Sequence, residues 1–509
     1  MEGKKKILGT VIASGFAFAI NYFINFFLTR YITNKIGTDA YGFVTLAKTM
    51  TSYALIATLA LNSYASRFIS IEYHKGNINK ANTYYNSVFF GDIILGFFLL
   101  IIGGIILFFS KQLFNIPNTI IHDVNLLFIL VFVNLFIDLS GTAFQAAAYI
   151  KNKLYLSSII KCIAYIIEAC FLFVCYTKFK PSLAFVGGGL IIATIFLVLS
   201  NYFVTRKFAP ELIVKPTMFK ISAVKMLLVN GVWNSLNSLG NTLNSGLDLI
   251  VTNSLLGAFS MGQVSVVKTM TAIFNGLFQM VAQPFQPNFL KKYAEEDSKA
   301  LLESMKYSMK FCGIISNLAF AEVVALGIYY YKLWVPNMDC TLLYRLSVVG
   351  VASSIIEGAV YPLFYIYTLT IKNKIPCIIT IIGGLFNVVG MYILINYTSL
   401  GIYAVFLTTT VVMIIINGIT NPLYMASCLN LKWNYFYPVI LRHLLSCAIM
   451  TVSLYYISQL FNVTSWISLI GSGVILAIVG CIEHFVIMFG IEKMKNICFS
   501  FIKSIKKKQ

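Results

Sequence analysis

The chain has 509 residues, of which 59% are hydrophobic and only 11% are charged, against about 25% charged residues in soluble domains. This composition excludes a water-soluble globular protein and predicts an integral membrane protein. The formal net charge of +20 does not indicate nucleic-acid binding, because the Lys and Arg are spread through short gaps between apolar segments, as topogenic charges are.

Apolar segments long enough to cross a bilayer follow one another along the chain, since a hydrocarbon core about 30 Å thick takes roughly 20 helical residues. They predict an all-α polytopic membrane protein with fourteen transmembrane helices and little left over for a soluble domain. The predicted spans are 7–33, 42–69, 85–110, 124–150, 156–177, 183–204, 227–256, 262–290, 307–331, 344–371, 376–397, 400–427, 440–460 and 465–490.

Positive charges concentrate on one side of these spans when both termini are placed in the cytoplasm. An even number of spans puts both termini on the same side, and all but nine of the 38 Lys and Arg then fall in inner gaps or adjoining helix ends. The nine others are Arg30, Lys35, Lys48, Lys111, Lys178, Lys180, Lys268, Lys332 and Arg345. The positive-inside rule therefore predicts cytoplasmic termini.

An internal repeat recurs at an offset of about 220 residues. The matched segments are Lys48–Thr51 with Lys268–Thr271, Thr33–Asn34 with Thr252–Asn253, and Ile150–Lys153 with Ile371–Lys374. Their common order predicts two six-helix repeats with parallel orientation, and in transporters built this way the substrate site lies between the halves. The predicted domains are an N-terminal lobe (1–206), a C-terminal lobe (207–428) and two further helices with a basic cytoplasmic tail (429–509).

The predicted seventh span carries a polar stripe. Six side chains recur at spacings of four, three, four, three and four residues, which place them on one face of a helix. They are Asn230, Asn234, Asn237, Asn241, Asn244 and Asp248. Polar side chains are costly in lipid, so the stripe is expected to face protein or a water-filled cavity.

Three other predicted spans carry comparable polar faces. The first has Asn21, Asn25 and Thr29 with Arg30 beside them, the second has Thr45, Lys48, Thr49 and Ser52, and the eighth has Ser265, Lys268, Asn275, Gln279 and Gln286. Any single Asn can instead hold helices together through an interhelical hydrogen bond. That structural interpretation stays open for each of them.

Lys48 and Lys268 are harder to explain as helix contacts. An ammonium group inside a helical bundle needs a carboxylate, water or an anionic ligand beside it. Two lysines at repeat-equivalent positions predict a basic cavity shared by both halves. The alternative is a structural ion pair with a buried carboxylate such as Asp92 or Asp248.

Other charged residues are predicted inside the bundle, and some of them are expected to form structural ion pairs. They are Arg67, Asp92, Asp138, Lys161, Glu168, Glu322, Arg345 and Glu357. Asp92, Asp138, Glu322 and Glu357 are the candidate carboxylates for a coupling proton or sodium ion. No other cofactor is predicted.

The absence of several motifs narrows the functional class. No Gly-x-x-x-x-Gly-Lys-Ser/Thr loop occurs, which counts against ATP hydrolysis by this chain. No long outer loop and no Asp-x-Asp motif occur, which counts against a membrane-embedded glycan-biosynthesis enzyme. The 10 cysteines and four histidines form no ligand pattern, so no metal site is predicted.

The segment from Asn25 to Arg67 resembles the amino-terminal region of Wzx-like polysaccharide flippases, a branch of the multidrug/oligosaccharidyl-lipid/polysaccharide (MOP) exporter superfamily. The resemblance depends on an Ile-Gly-x-x-x-Tyr-Gly turn, in which Ile36, Gly37, Tyr41 and Gly42 stand, followed by an apolar helix ending near Arg67. Chain length, fourteen spans and the repeat extend it to the whole chain.

The resemblance implies a V-shaped pair of six-helix lobes around a central cavity lined by spans 1, 2, 7 and 8. In related peptidoglycan-precursor flippases, cationic side chains on these spans bind the pyrophosphate of an undecaprenyl-linked sugar, and spans 13 and 14 form a groove for the lipid tail. Arg30, Lys48 and Lys268 occupy the matching spans here. This chain has lysines where that branch favours arginines.

The leading functional hypothesis is therefore a flippase of the bacterial cytoplasmic membrane that carries an undecaprenyl-pyrophosphate-linked oligosaccharide. Membrane lipids and other polysaccharide-assembly proteins are the expected partners, with no nucleic acid. A cation-coupled exporter of drugs or metabolites on the same fold is one alternative, and a membrane-embedded biosynthetic enzyme is another. Asp248 and the abundant Phe and Tyr favour the drug exporter, whereas the lysine pair favours an anionic substrate.

Overall fold

The computed structural model describes the backbone of residues 2–151, 153–370 and 372–490. Side chains are described within these ranges except at 2–18, 154, 244–245, 287, 290–291, 294 and 368. All regular structure among these residues is helical, which confirms the predicted all-α fold class. The predicted basic tail after residue 490 lies outside the described residues.

The helices follow one another with short connections. The first group is α1 (Glu2–Lys35), α2 (Thr38–Asn62), α3 (Ala65–His74), α4 (Ile78–Phe108), α5 (Ser110–Leu113), α6 (Ile121–Gly141), α7 (Ala146–Ile150), α8 (Leu154–Lys178), α9 (Ala184–Phe208) and α10 (Ile221–Ser245). The second group is α11 (Leu247–Ala282), α12 (Gln286–Ala294), α13 (Ser298–Trp334), α14 (Cys340–Val351), α15 (Ser354–Val360), α16 (Tyr365–Thr370), α17 (Lys374–Tyr397), α18 (Tyr403–Ile415), α19 (Asn421–Cys428), α20 (Tyr437–Ser458) and α21 (Trp466–Phe489).

These helices account for the fourteen predicted spans. Among the described residues, 12 helical segments are long and apolar enough to cross a membrane. One of them, Ile221–Phe285, is 65 residues long and contains the predicted span 7 and most of span 8. Helix α1, with 34 residues, corresponds to the first span. Spans 7 and 8 meet at Gly257, whose φ of 85° breaks the helix, because glycine tolerates the left-handed region at little cost.

Both repeats interrupt a helix at the same place. In span 4 the α-helix gives way to a 3₁₀ turn over Thr142–Gln145, and in span 10 a 3₁₀ turn covers Tyr361–Phe364. Pro362 explains the second interruption, since it removes a backbone donor, but no proline stands in the first. The matching breaks support the repeat proposed from the sequence.

The chain divides into two compact units, Met1–Ser265 and Val266–Gln509. In the first unit α1 packs against α8, α2 packs against α10, and α6 packs against both α4 and α9. Within a bilayer such packing is driven by close van der Waals contact, because lipid is as apolar as the side chains. The predicted lobe boundaries at 206 and 428 concern the repeat and stay a prediction.

In the second unit α13 is the central helix and packs against α14, α15, α20 and α21. Buried polar contacts hold the last two spans in place. Asn317 Nδ2 lies 3.2 Å from His484 Nδ1, and Ser446 Oγ lies 3.0 Å from the same nitrogen. On the other side of this ring, His484 Nε2 lies 3.1 Å from the carbonyl of Lys310. Both nitrogens of the His484 ring are therefore engaged in polar contacts within the second unit.

Two repeat-equivalent glycines, Gly42 and Gly262, bring helices of the first unit unusually close. A Cβ added at Gly42 would lie 3.0 Å from the Gly262 nitrogen, and one added at Gly262 would lie 2.2 Å from the Thr38 carbonyl oxygen. Small residues permit such backbone approach between membrane helices. The sequence repeat thus extends upstream of Lys48 and Lys268 to Gly42 and Gly262, whose backbones pack against each other.

Two asparagine side chains of α4 form hydrogen bonds with the backbone of the segment 211–215, which follows α9. Asn82 accepts from the Ile213 nitrogen at 2.8 Å and donates to the Glu211 carbonyl at 2.8 Å. Asn86, which is fully buried, accepts from the Lys215 nitrogen at 2.6 Å and donates to the Ile213 carbonyl at 2.9 Å. These bonds satisfy backbone groups that have no helical partner.

Replacing Asn86 with alanine should loosen this segment and destabilise the protein. Two partly buried backbone groups would lose their partner, and an unsatisfied group costs up to about 1–3 kcal/mol when it is buried. We expect a lower melting temperature in detergent and faster proteolysis between residues 209 and 220. Asn79→Ala is the matched control, because Asn79 is exposed on the same helix; equal behaviour of the two variants would contradict the prediction.

Candidate functional site

Lys48 lies at the centre of a polar network in the first unit. Its Nζ donates to Asn25 Oδ1 at 3.0 Å, and Asn25 Nδ2 in turn donates to the side chain and carbonyl of Asn21, at 3.0 and 2.8 Å. The ammonium on α2 is thereby linked to two successive turns of α1. This arrangement joins three of the residues that the sequence predicted for the site.

Glu168 on α8 is the carboxylate that interacts electrostatically with Lys48. It is 3% exposed, so its charge is weakly screened by water. From the sequence, Glu168 was predicted only to be a buried charge, and its interaction with Lys48 was not predicted. The structural alternative of a pair between Lys48 and a buried carboxylate therefore involves Glu168 on α8, and not Asp92 or Asp248, the examples named from the sequence.

The same backbone geometry surrounds both repeat lysines. Thr51 Oγ1 donates to the Lys48 carbonyl at 2.8 Å, and Thr271 Oγ1 donates to the Lys268 carbonyl at 3.0 Å. Lys268 is half-buried on α11 in the second unit, and Asn275 is exposed two turns later. The Lys-Thr-Met-Thr motif is therefore a structural repeat as well as a sequence repeat.

Arg30 is half-buried on α1, five residues after Asn25. Along its helix the threonines bond to the backbone, with Thr29 Oγ1 donating to the Asn25 carbonyl at 2.6 Å and Thr33 Oγ1 to the Thr29 carbonyl at 2.8 Å. The Arg30 guanidinium is not among the groups described as interacting with Lys48, which are Asn25 and Glu168. Its predicted role in substrate binding stays a prediction.

The asparagine stripe lies on an exposed part of α10. Asn230, Asn234, Asn237 and Asn241 are all exposed, and the side chain of Asn244 lies outside the described residues. Helix α10 packs on α2 through a different face, where a Cβ at Gly231 would lie 1.9 Å from the Ala60 carbonyl oxygen and Ser235 donates to the Ile56 carbonyl at 2.9 Å. The two faces are about 100° apart around the helix.

Cysteines placed on this stripe should react with an aqueous thiol reagent. We expect rapid labelling at Asn234, Asn237 and Asn241, each tested singly in a background without the 10 native cysteines, because exposed amides in a membrane protein need water or polar neighbours. Ser235→Cys should stay protected by its contact with α2. Equal protection at all four positions would favour the alternative in which the asparagines hold helices together.

Asp248 begins α11 and is buried, at 5% exposure. Thr252 donates to its backbone carbonyl, and the carboxylate interacts electrostatically with Tyr53 of α2. The structure thus places it at the foot of the asparagine stripe but against an aromatic hydroxyl.

The four candidate coupling carboxylates occupy different environments. Asp92 is fully buried, accepts from Asn62 Nδ2 at 2.9 Å and also accepts from Thr142 Oγ1. Asp138 interacts electrostatically with Lys161, which gives the first unit a second pair of opposite charges. Glu322 and Glu357 are half-buried in the second unit. Asp92 and Asp138 also influence one another, so two of the four carboxylates share one region.

Among the described residues, no group of three or more His, Cys, Asp or Glu side chains is arranged to hold a metal ion. The candidate site consists of the Lys48 ammonium group, the amides of Asn25 and Asn21, and the Glu168 carboxylate. Lys48 supplies a point charge, Asn21 and Asn25 supply donors and acceptors, and Glu168 supplies a nearby opposite charge.

Comparisons with known proteins bear on the fold. No family model matches the chain. A relative from Bacillus subtilis (strain 168), the uncharacterized membrane protein EpsK, is 26% identical over 493 residues, which make up 96% of each chain.

Two solved structures show the same architecture. An inward-facing multidrug resistance transporter of the MATE family, itself of the MOP superfamily, aligns with a TM-score of 0.66 and 13% identity over 82% of this chain and 98% of its own. The lipid II flippase MurJ, in an inward closed conformation, aligns with a TM-score of 0.64 and 15% identity over 94% of this chain and 99% of its own. The chain therefore has the fold of MOP superfamily transporters and flippases, which confirms the resemblance inferred from the sequence.

Proposed function

We propose that this protein is a flippase that carries an undecaprenyl-pyrophosphate-linked oligosaccharide repeat unit from the cytoplasmic to the outer leaflet by alternating access, for cell-surface polysaccharide biosynthesis. It would act in the bacterial cytoplasmic membrane with both termini in the cytoplasm. Polysaccharide-assembly proteins are its expected partners. The observation that carries the proposal is the network of Lys48 with Asn25 and Asn21.

An anionic headgroup suits this network. A charged side chain in a membrane helix is costly and is by default a functional residue, and lysine binds phosphate as a point charge. Lys48 is held by an amide oxygen rather than by a bidentate ion pair, so a phosphate oxygen can replace that amide. The neighbouring amides can donate to and accept from sugar hydroxyls.

The proposal includes residues beyond this network. Lys268 is included because it is the repeat equivalent of Lys48. In both repeats the threonine three residues later donates to the carbonyl of the lysine. The full proposed set for pyrophosphate and sugar is Arg30, Lys48, Lys268, Asn21, Asn25, Asn234, Asn237, Asn241, Asp248 and Asn275. Asp92, Asp138, Glu322 and Glu357 are proposed for a coupling proton or sodium ion, and the connected pair Asp92 and Asp138 has the stronger structural support.

A cation-coupled drug exporter is the second candidate. It is favoured by the likeness to the MATE family transporter and by the buried carboxylate of Asp248. A cationic drug would be repelled by Lys48, however, unless Glu168 dominated the local field. The two candidates therefore differ in the charge of the preferred substrate.

Transport by the purified protein in sealed vesicles separates the candidates. We expect translocation of a lipid-linked oligosaccharide, followed by its exposure to an impermeant enzyme, in vesicles with the protein and not in empty vesicles. An imposed membrane potential should change the rate, because a pyrophosphate is charged. Expulsion of a fluorescent organic cation without movement of the lipid would overturn the flippase proposal.

A further inference from the structure

An apolar slot of about 440 Å³ lies between α1 and α8 in the first unit. Its walls include Phe23, Ile24, Phe27, Leu28, Leu172 and Phe173. Three of these rings stand open to the surroundings, with Phe23 66%, Phe27 53% and Phe173 72% exposed. Leu28 and Leu172 are buried, at 5% each, and form the floor where the helices meet.

The slot is closed at one end by two tyrosines. The rings of Tyr31 and Tyr176 are 4.5 Å apart, and Tyr31 donates its hydroxyl hydrogen to the Tyr176 carbonyl at 3.0 Å. Tyr176 donates to the Ser182 carbonyl at 3.2 Å, which ties the pair to the loop after α8. From Phe23 to this closure the slot runs about 12 Å along α1, at 1.5 Å per residue.

Beyond the other end of the slot, α1 carries the polar residues of the Lys48 network. Asn21 stands one helical turn before the slot-lining Ile24 and accepts from Asn25. Asn25 accepts from Lys48. A continuous series of hydrogen bonds thus passes around α1 from the end of the apolar slot to the ammonium group.

We propose that this slot holds the hydrocarbon chain of an anionic lipid whose phosphate headgroup binds at Asn21, Asn25 and Lys48. The combination of an apolar channel closed at one end with a cationic network beside it on α1 fits an amphiphile with a negative head. A free phosphate ion would leave the slot unused, and a neutral lipid would leave Lys48 unused. The inference rests on the proposed function, of which it specifies the tail site.

This tail site differs in place from the groove that the family resemblance implies. That groove lies on spans 13 and 14, which are α20 and α21 in the second unit. The slot lies on spans 1 and 5, beside the Lys48 network in the first unit. The two locations can be distinguished by where a lipid chain becomes attached.

Photo-crosslinking tests the slot directly. The probe is undecaprenyl pyrophosphate with a diazirine in its chain, added to the full-length protein in vesicles, and attachment sites are mapped by mass spectrometry. We expect attachment within residues 23–31 and 169–177, reduced at least about threefold by unlabelled undecaprenyl pyrophosphate. Inorganic pyrophosphate should compete only weakly, and undecaprenol should also compete weakly. Attachment confined to α20 and α21, or equal competition by undecaprenol, would overturn the proposal.

Filling the slot provides the second test. Ala169 of α8 also lines the slot. Ala169→Trp places a large ring there and should reduce both crosslinking and lipid transport at least about tenfold. Val174→Trp is the control, because Val174 is exposed on the same helix but does not line the slot. If Ala169→Trp fails to fold, the double variant Phe27→Ala, Phe173→Ala, which removes two exposed rings, should give the same loss of crosslinking.

The outcomes separate the two proposals. Crosslinking in the slot without transport of the oligosaccharide lipid would support the tail site and contradict the proposed flippase function. Wild-type transport and wild-type crosslinking by a folded Ala169→Trp protein would remove the slot while leaving the flippase function intact.

Discussion

Replacing Lys48 with alanine should lower transport of the lipid-linked oligosaccharide by about ten- to a hundredfold. The ammonium group would lose one charge-assisted contact with pyrophosphate, worth about 1.5–3 kcal/mol, and each 1.4 kcal/mol corresponds to a factor of ten. Lys48→Arg should keep part of the activity, since the charge remains. Lys48→Glu should be worse than alanine, because repulsion replaces attraction where water screens poorly.

Controls for this variant must separate binding from folding. Lys111→Ala is matched in chemistry and exposed on the short helix α5, so it should transport normally. Rates are measured at limiting substrate in sealed vesicles, and folded protein is measured by yield and melting temperature in detergent. A folded, abundant and inactive Lys48→Ala protein supports the site.

The structural alternative makes a different prediction through Glu168. If Lys48 serves only to neutralise Glu168, its loss leaves a buried charge without a partner, which destabilises a protein by about 3–5 kcal/mol. The double variant Lys48→Ala, Glu168→Gln should then recover both stability and transport. Under the flippase proposal the single variant is already stable, and the double variant stays inactive.

Lys268 provides an independent check on the repeat. Lys268→Ala should resemble Lys48→Ala if both lysines contact the substrate during the cycle. Full transport by a stable Lys48→Ala, Lys268→Ala protein would end the pyrophosphate hypothesis for these residues.

The sequence predicted the fold well because the physical signals for membrane helices are strong. About 20 apolar residues between polar gaps define each span, and the repeat of Lys48–Thr51 in Lys268–Thr271 survived as matching backbone geometry. Helix interruptions were harder to predict. The turn at Tyr361–Phe364 contains a proline, but its equivalent at Thr142–Gln145 has no such signal in the sequence.

Most residues of the candidate site were identified from the sequence, but only some of the contacts between them were predicted. Helical spacing put Asn21 and Asn25 on one face of the first span, and both lie in the Lys48 network. The partner Glu168 was not predicted, because it stands more than 100 residues away in the sequence and periodicity within one helix says nothing about which helices become neighbours. The slot was missed for the same reason, since it needs α1 and α8 together.

Gly262→Ala should destabilise the protein, and by more than Gly42→Ala, because the methyl group added at Gly262 meets backbone atoms at a shorter distance. The new Cβ would lie 2.2 Å from the Thr38 carbonyl oxygen and 2.7 Å from the carbonyl carbon. Backbone atoms cannot rotate away as a flexible side chain can, so the helices must separate. Overpacking of this kind costs about 1–3 kcal/mol and occasionally more.

The measurement is thermal unfolding of the purified variant, with yield from the membrane fraction beside it. Gly104→Ala is the matched control, because an added Cβ at Gly104 meets nothing within 4 Å and alanine has the higher helix propensity. We expect a lower melting temperature for Gly262→Ala and an unchanged or higher one for Gly104→Ala. A Gly262→Ala protein as stable as the wild type would show that the close crossing near Gly42 is not required, and that the repeat-equivalent glycines serve another purpose.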